Sequence, residues 1–257
     1  MTPVGAAFER ARAESRSCLV IYVCGGDPTL KATADLLLEV QESGADVVEL
    51  GVPFSDPTAD GPTIQAASRR ALDAGATFRG VLDSLKEARG RGFTLPVVLF
   101  GYYNPILAYG EGRAIADARD AGVSAFLVVD LPVEEATSFV GALRAEGLSY
   151  VPLVAPTSGD ARARAAAAVA DDFIYYVSKT GVTGTDAPDL AVAASRAKEV
   201  EAIVHKPVAV GFGIAEGSHV REVRQCSGVV VGSALIRAHQ AGRAGELVRE
   251  LRAATPH

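Results

Sequence analysis

The sequence predicts an α/β protein, a closed (β/α)8 barrel of the triosephosphate-isomerase type built as a single domain over residues 1–257. Short apolar, β-rich runs recur eight times, at 18–23, 46–50, 96–100, 125–129, 150–154, 173–177, 207–210 and 228–231. The segments between them, such as 30–42 and 134–146, have helical period and charged faces, so strand and helix alternate along the chain. A length of 257 residues also suits one such barrel and is enough to bury most of its apolar surface. A doubly wound open sheet is the competing arrangement, but eight strands and the lack of a GxGxxG after the first count against it.

In chain order, residues 4–16 set Val4 and Phe8 at helical spacing among Glu and Arg, predicting an amphipathic helix ahead of the first strand. That start differs from the basic, continuously apolar opening of a secretory signal, so a cytoplasmic protein is expected. The first strand is followed by a helix over 30–42 that ends at Gly44, and the second leads into a Pro-rich loop before Pro62. Gly122 and Gly147 close the helices before the fourth and fifth strands, glycine being suited to the left-handed conformation of a helix C-terminus. The alanine run near Ala165 reads as helix. After the last strand, a short helical piece over 233–240 precedes a final helix over 246–254.

The bulk composition excludes several classes of function. Apolar residues make up 49% and charged residues 22% of the chain, as in ordinary globular proteins, and the apolar runs are far shorter than the ~20 residues needed to cross a bilayer. A net charge of −6 without a basic stripe argues against a nucleic-acid surface. Cys18, Cys24 and Cys226 have neither CxxC nor metal-type spacing and read as buried thiols. The four histidines, His205, His219, His239 and His257, include no pair at ligand spacing, so no metal is expected.

Chemistry is concentrated in Glu49-Leu-Gly-Val-Pro53-Phe-Ser-Asp56-Pro-Thr58-Ala-Asp60-Gly-Pro62-Thr-Ile-Gln65. Glu49 stands near the carboxyl end of an apolar strand with no basic neighbour, and Asp60 lies on the loop that follows. Two carboxylates entering one cavity from different surroundings can be driven apart in pKa, one donating a proton while the other stays ionised. Glu49 can equally be an ion-paired structural carboxylate, and Asp60-Gly-Pro-Thr is also sound helix-start chemistry with Asp as the cap. Three glycine-bearing loops follow the last three strands: Gly181-Val-Thr183-Gly184, Gly211-Phe212-Gly213 and Gly232-Ser233. Each alone reads as a turn, but together they match the phosphate cradle recurrent in this fold, where backbone amides and a short helix N-terminus meet the anion.

The 49–65 segment resembles the signature of the tryptophan synthase alpha subunit family, and Gly26-Asp27-Pro28, Tyr102-Tyr-Asn104-Pro105, Asp130-Leu-Pro132, Gly181-Val-Thr183-Gly184 with Gly211-Phe212-Gly213, and Gly232-Ser-Ala234 agree in order and spacing. The resemblance covers nearly the whole chain. It implies cofactor-free retro-aldol cleavage of indole-3-glycerol phosphate to indole and glyceraldehyde 3-phosphate, in an α2β2 complex with a pyridoxal-phosphate beta subunit. By carry-over, Glu49 shuttles the proton and Asp60 holds the indole N–H. Substrate binding falls to Tyr22, Phe100, Tyr175, Thr183, Gly184, Phe212, Gly213, Gly232 and Ser233, although barrel core is the plainer reading for many of the aromatic and aliphatic positions. The partner interface is assigned to Pro53, Asp56, Thr58 and Asn104. Thr58 replaces an aliphatic residue of the family, Lys179 an arginine, and Cys24-Gly25-Gly26 a Thr-Ala-Gly.

Overall fold

The computed structural model describes residues 1–177, 189–211 and 213–257. Among these, nine strands form one parallel sheet: β1 (Cys18–Cys24), β2 (Val47–Gly51), β3 (Val97–Gly101), β4 (Ala125–Val128), β5 (Ser149–Tyr150), β6 (Leu153–Val154), β7 (Ile174–Val177), β8 (Val208–Gly211) and β9 (Gly228–Val231). Neighbours run in the order β5-β4-β3-β2-β1-β9-β8-β7-β6. The eight expected strands are all present, but 150–154 is divided in two. Pro152 has no N–H to give to a ladder, so pairing breaks there. Val151 donates to the Phe126 carbonyl at 2.9 Å on one side, and the Pro152 carbonyl accepts from Tyr175 at 3.0 Å on the other. The two ends of the strand order are thus one continuous piece of chain, and the sheet closes into a barrel.

Strand alternation sorts the side chains into two cores. Along β1, Leu19, Ile21 and Val23 face the surrounding helices, whereas Cys18, Val20, Tyr22 and Cys24 face the barrel axis. The same period turns Val48 and Leu50 of β2 outward, with Val47 in the inner core, and it aims Glu49 inward. Inner positions on β3, β4 and β8 are Val98, Leu127 and Ala209, so the barrel is filled by side chains below the level of Glu49.

Helix α1 (Pro3–Ala13) plugs the amino-terminal end of the barrel, with Phe8 stacked on Phe173 at 4.7 Å between ring centroids. Burying the Phe8 ring contributes roughly 1.5–3 kcal/mol. The helix stops three residues short of the expected Arg16, because Ser15 takes a left-handed φ of 54° and Arg16 leaves to pair with Asp46 at 2.6 Å. Asp46 also accepts from Arg252 at 3.0 Å and from the Leu19 amide at 2.9 Å, tying both ends of the chain to the base of the barrel.

Helices α2 (Leu30–Glu42) and α3 (Pro62–Asp73) flank β2, and α4 (Phe78–Gly90) completes a pair before β3. A second pair, α5 (Tyr103–Tyr109) and α6 (Glu111–Asp120), precedes β4. The helix expected over 134–146 begins later, as α7 (Thr137–Ala145), its first residues forming a turn. Then come α8 (Asp160–Val169), α9 (Leu190–Val204), α10 (Gly217–Val223), α11 (Ser233–Gln240) and α12 (Ala244–Ala253). Gly44, Gly122 and Gly147 take the positive φ expected of helix ends. Among the described residues no helix is long and apolar enough to cross a membrane.

Candidate active site

A cavity of about 250 Å³ opens at the carboxyl ends of the strands, and the sequence-predicted residues converge on it. Tyr22, Glu49, Asp60, Phe100, Tyr175, Gly213, Gly232 and Ser233 all line it, with Gly61, Ile64, Ile214, Ala215, Val230 and Arg237. Thr183, Gly184, Phe212 and Lys179 lie outside the described residues. Among the expected interface positions, Asp56, Thr58 and Asn104 are exposed and Pro53 is buried.

The floor is set by register. Tyr22 on β1 pairs with Glu49 on β2, and Glu49 with Val98 on β3, so the carboxyl sits in the inner layer just below the mouth. Tyr22 and Phe100 meet edge to face, 5.3 Å between centroids at 83°, and form an aromatic wall beside it. Both tyrosine rings rest on glycines: a Cβ at Gly51 would come within 2.3 Å of the Tyr22 hydroxyl, and one at Gly211 within 2.0 Å of the Tyr175 hydroxyl. Only residues without a side chain let the rings lie that low.

Glu49 is 1% exposed, and its Oε1 has no hydrogen-bond partner among the described residues. An ionised carboxylate there would be desolvated without compensation, and burial alone pushes its pKa up to about 8. Glu49 therefore holds its proton at neutral pH. The ion-paired structural reading finds no support, since among the described residues no cation is within ion-pair distance of it.

Asp60 is the second carboxyl, 5% exposed. The cap reading also fails: α3 is capped by Gly61 with no side-chain hydrogen bond, and Pro62 opens the helix. Asp60 Oδ2 instead accepts from the Tyr102 hydroxyl at 3.0 Å, while that hydroxyl accepts from the Ala59 amide at 3.0 Å. Burial raises the Asp60 pKa to about 6, and the Tyr102 hydrogen bond holds it back from rising further. Near neutral pH one carboxyl is protonated and the other ionised, the arrangement acid/base chemistry requires. Tyr102→Phe is expected to raise the Asp60 midpoint by about one unit, since a hydrogen bond to a charged group is worth ~1.5–3 kcal/mol. Carbon-detected NMR titration of the Asp60 carboxyl checks this, and an unchanged midpoint would show that the hydroxyl does not set it.

At the opposite rim, Gly213 adopts a φ of +81°, and Gly232 begins α11 with no side chain to cap it. The uncapped first turn, starting at Ser233, presents N–H groups and a positive dipole end suited to an anion. Sequence reasoning missed Ile64 and Arg237. Ile64, two residues into α3 from Pro62, follows from the placing of Asp60, and Arg237 could have been found as the residue one helical turn beyond Ser233. Asp27 and Asp130 take structural partners: Asp27 holds Arg70 at 2.6 Å, and Asp130 accepts from the Tyr103 amide at 2.8 Å.

The sequence matches the model of the family described as "Tryptophan synthase alpha chain" over residues 8–255. The chain is 46% identical over 252 residues to the tryptophan synthase alpha chain of Geobacter sulfurreducens, covering 98% of this chain and 95% of that one. Among solved structures, a tryptophan synthase of Mycobacterium tuberculosis superposes with a TM-score of 0.91 at 33% identity, over 100% of this chain and 99% of that one. The tryptophan synthase alpha subunit of Legionella pneumophila strain Paris gives 0.89 at 33%, over 99% and 98% of the two chains.

Proposed function

The chain belongs to the tryptophan synthase alpha chain family, and from that premise we propose that the cavity at the barrel mouth is where it works, with Glu49 and Asp60 as its acid/base pair. The chain is a lyase that cleaves indole-3-glycerol phosphate to indole and glyceraldehyde 3-phosphate. One observation supports these roles above the others: two buried carboxyls line one cavity, with pKa values pushed to about 8 and about 6.

Cleavage requires indole C3 to gain a proton, so that the ring nitrogen can draw electrons from the bond to be broken. Glu49, protonated at rest, donates that proton. Positive charge then develops on the indole N–H, and ionised Asp60, held by Tyr102, accepts its hydrogen bond. The Glu49 carboxylate left behind removes the proton of the glycerol hydroxyl next to C3. The carbon–carbon bond breaks as that oxygen becomes the carbonyl of glyceraldehyde 3-phosphate, and the bonding electrons restore the aromatic ring. Glu49 ends protonated, so the cycle closes with no net proton and no cofactor. Tyr22 and Phe100 wall the apolar end of the substrate, and Gly213, Gly232 and Ser233 receive its phosphate.

The partner is a pyridoxal-phosphate beta subunit, in an α2β2 assembly and in the cytoplasm. Support comes from the exposed loop residues Asp56 and Thr58, which lie a few residues before Asp60 on the same loop, and from exposed Asn104 and Leu107 on α5 nearby in sequence to Tyr102. Contact there can reach Asp60 directly through its own loop and through Tyr102. Indole release from indole-3-glycerol phosphate, measured with and without the cognate beta subunit, tests both parts. Slow release alone and faster release with the partner is expected. No release under either condition refutes the lyase assignment, and high turnover that the beta subunit leaves unchanged identifies a stand-alone lyase.

A further inference from the structure

Arg237 is the only cation among the described residues that line the cavity, and it has no role in the chemistry above. It lies four residues after Ser233 on α11, hence on the same helix face, and side chains on a helix lean back towards its N-terminus. Its hydrogen bond is a long one, Nη1 to the Thr63 hydroxyl at 3.4 Å, and among the described residues no carboxylate pairs with it. Thr63 is the second residue of α3, so the guanidinium reaches the start of that helix while it also lines the cavity. That is a positive dipole end, and a cation held there is unfavourable until an anion joins it.

Arg237 and Ala215 also border a second cleft of about 430 Å³, shared with Glu216, Arg243, Glu246 and Glu250. Three carboxylates against one further arginine repel an anion from that side. The cavity side offers instead the uncapped turn at Ser233 and the glycine Gly213. An anion drawn by Arg237 therefore settles on the active-site side.

We propose that Arg237 is a phosphate-binding residue of this active site, adding a charged, forked donor to a cradle otherwise made of neutral backbone N–H groups. The inference rests on the reading of the cavity as the indole-3-glycerol phosphate site. A guanidinium and a phosphate dianion form charge-assisted, bidentate hydrogen bonds, roughly twice as strong as neutral ones. Arg237 then holds substrate and phosphorylated product alike, so it acts on affinity and leaves the proton transfers at Glu49 alone.

Calorimetric titration of glycerol 3-phosphate into wild type, Arg237→Gln and Arg237→Lys, at low and high salt, tests it beside steady-state kinetics. Arg237→Gln is expected to weaken glycerol 3-phosphate binding and raise KM by about tenfold or more, with kcat within about twofold and a flatter salt dependence. Arg237→Lys should keep the salt dependence and recover part of the affinity. The side chain is exposed, and unchanged circular dichroism shows that the fold is intact. Binding by Arg237→Gln within about twofold of a wild type that does bind overturns the proposal and leaves the site reading standing. A wild type that fails to bind glycerol 3-phosphate overturns both.

Discussion

Glu49→Gln is expected to lower kcat by about 10² to 10⁴ while making the protein more stable. The loss of activity follows from the proton, since Gln has the shape of the neutral acid but cannot give up or take back a hydrogen ion. The gain in stability follows from linkage. In the unfolded chain Glu49 ionises near 4.5, whereas in the folded protein it keeps its proton until about 8. Over that window the folded state binds more protons than the unfolded one, so this residue lowers stability progressively as pH rises from about 4.5 to about 8. The cost at pH 7 is on the order of 3 kcal/mol, and Gln does not incur it. Denaturant unfolding of both proteins between pH 4 and pH 9 checks the sign: the two should agree at the acid end and diverge as pH rises. A constant difference across that range would remove Glu49 from the titrating groups, and activity within about tenfold of wild type would remove it from the mechanism.

Asp60→Asn is expected to reduce kcat/KM by about 10²–10³, the loss typical when one charge-stabilising group is deleted from a preorganised site. The pH profile carries more information. Wild-type kcat/KM should be bell-shaped, rising as Asp60 ionises near 6 and falling as Glu49 loses its proton near 8. Burial alone raises Glu49, with no contribution from Asp60, so each limb belongs to one residue. Asp60→Asn should therefore erase the acid limb and leave the alkaline one in place. An acid limb that persists in the variant would mean that some other group sets it.

Local pattern revealed the strands well, because runs such as Cys18–Cys24 are buried on both faces and need no partner to be recognised. It failed where a single residue altered the pairing: Pro152 divides a run that reads as one apolar strand. Helix α5 was not read at all, because seven residues are too few to display a helical period. In the site, Glu49 was legible from its own strand, an unpaired acid in an apolar run. Asp60 was not. Its cap and catalytic readings share the same neighbours in sequence, and what argues against the cap is a hydrogen bond from the hydroxyl of Tyr102, 42 residues away. Tertiary contacts of that kind leave no local trace, whereas Arg237 left one in the spacing of α11.

The glycines beneath the two tyrosines bear on how sequences like this one can change. A methyl group at position 51 would lie 2.6 Å from the Tyr22 ring carbon that bears the hydroxyl, and one at position 211 would lie 2.4 Å from the matching carbon of Tyr175. Loss of the hydroxyl alone would not make room in either case. A side chain at position 51 becomes acceptable only after residue 22 has ceased to be aromatic, and the same order holds for positions 211 and 175. Neutral drift at these strand ends thus has a direction: the ring goes first, the glycine second, and the reverse path passes through a chain whose cavity has been pushed out of shape.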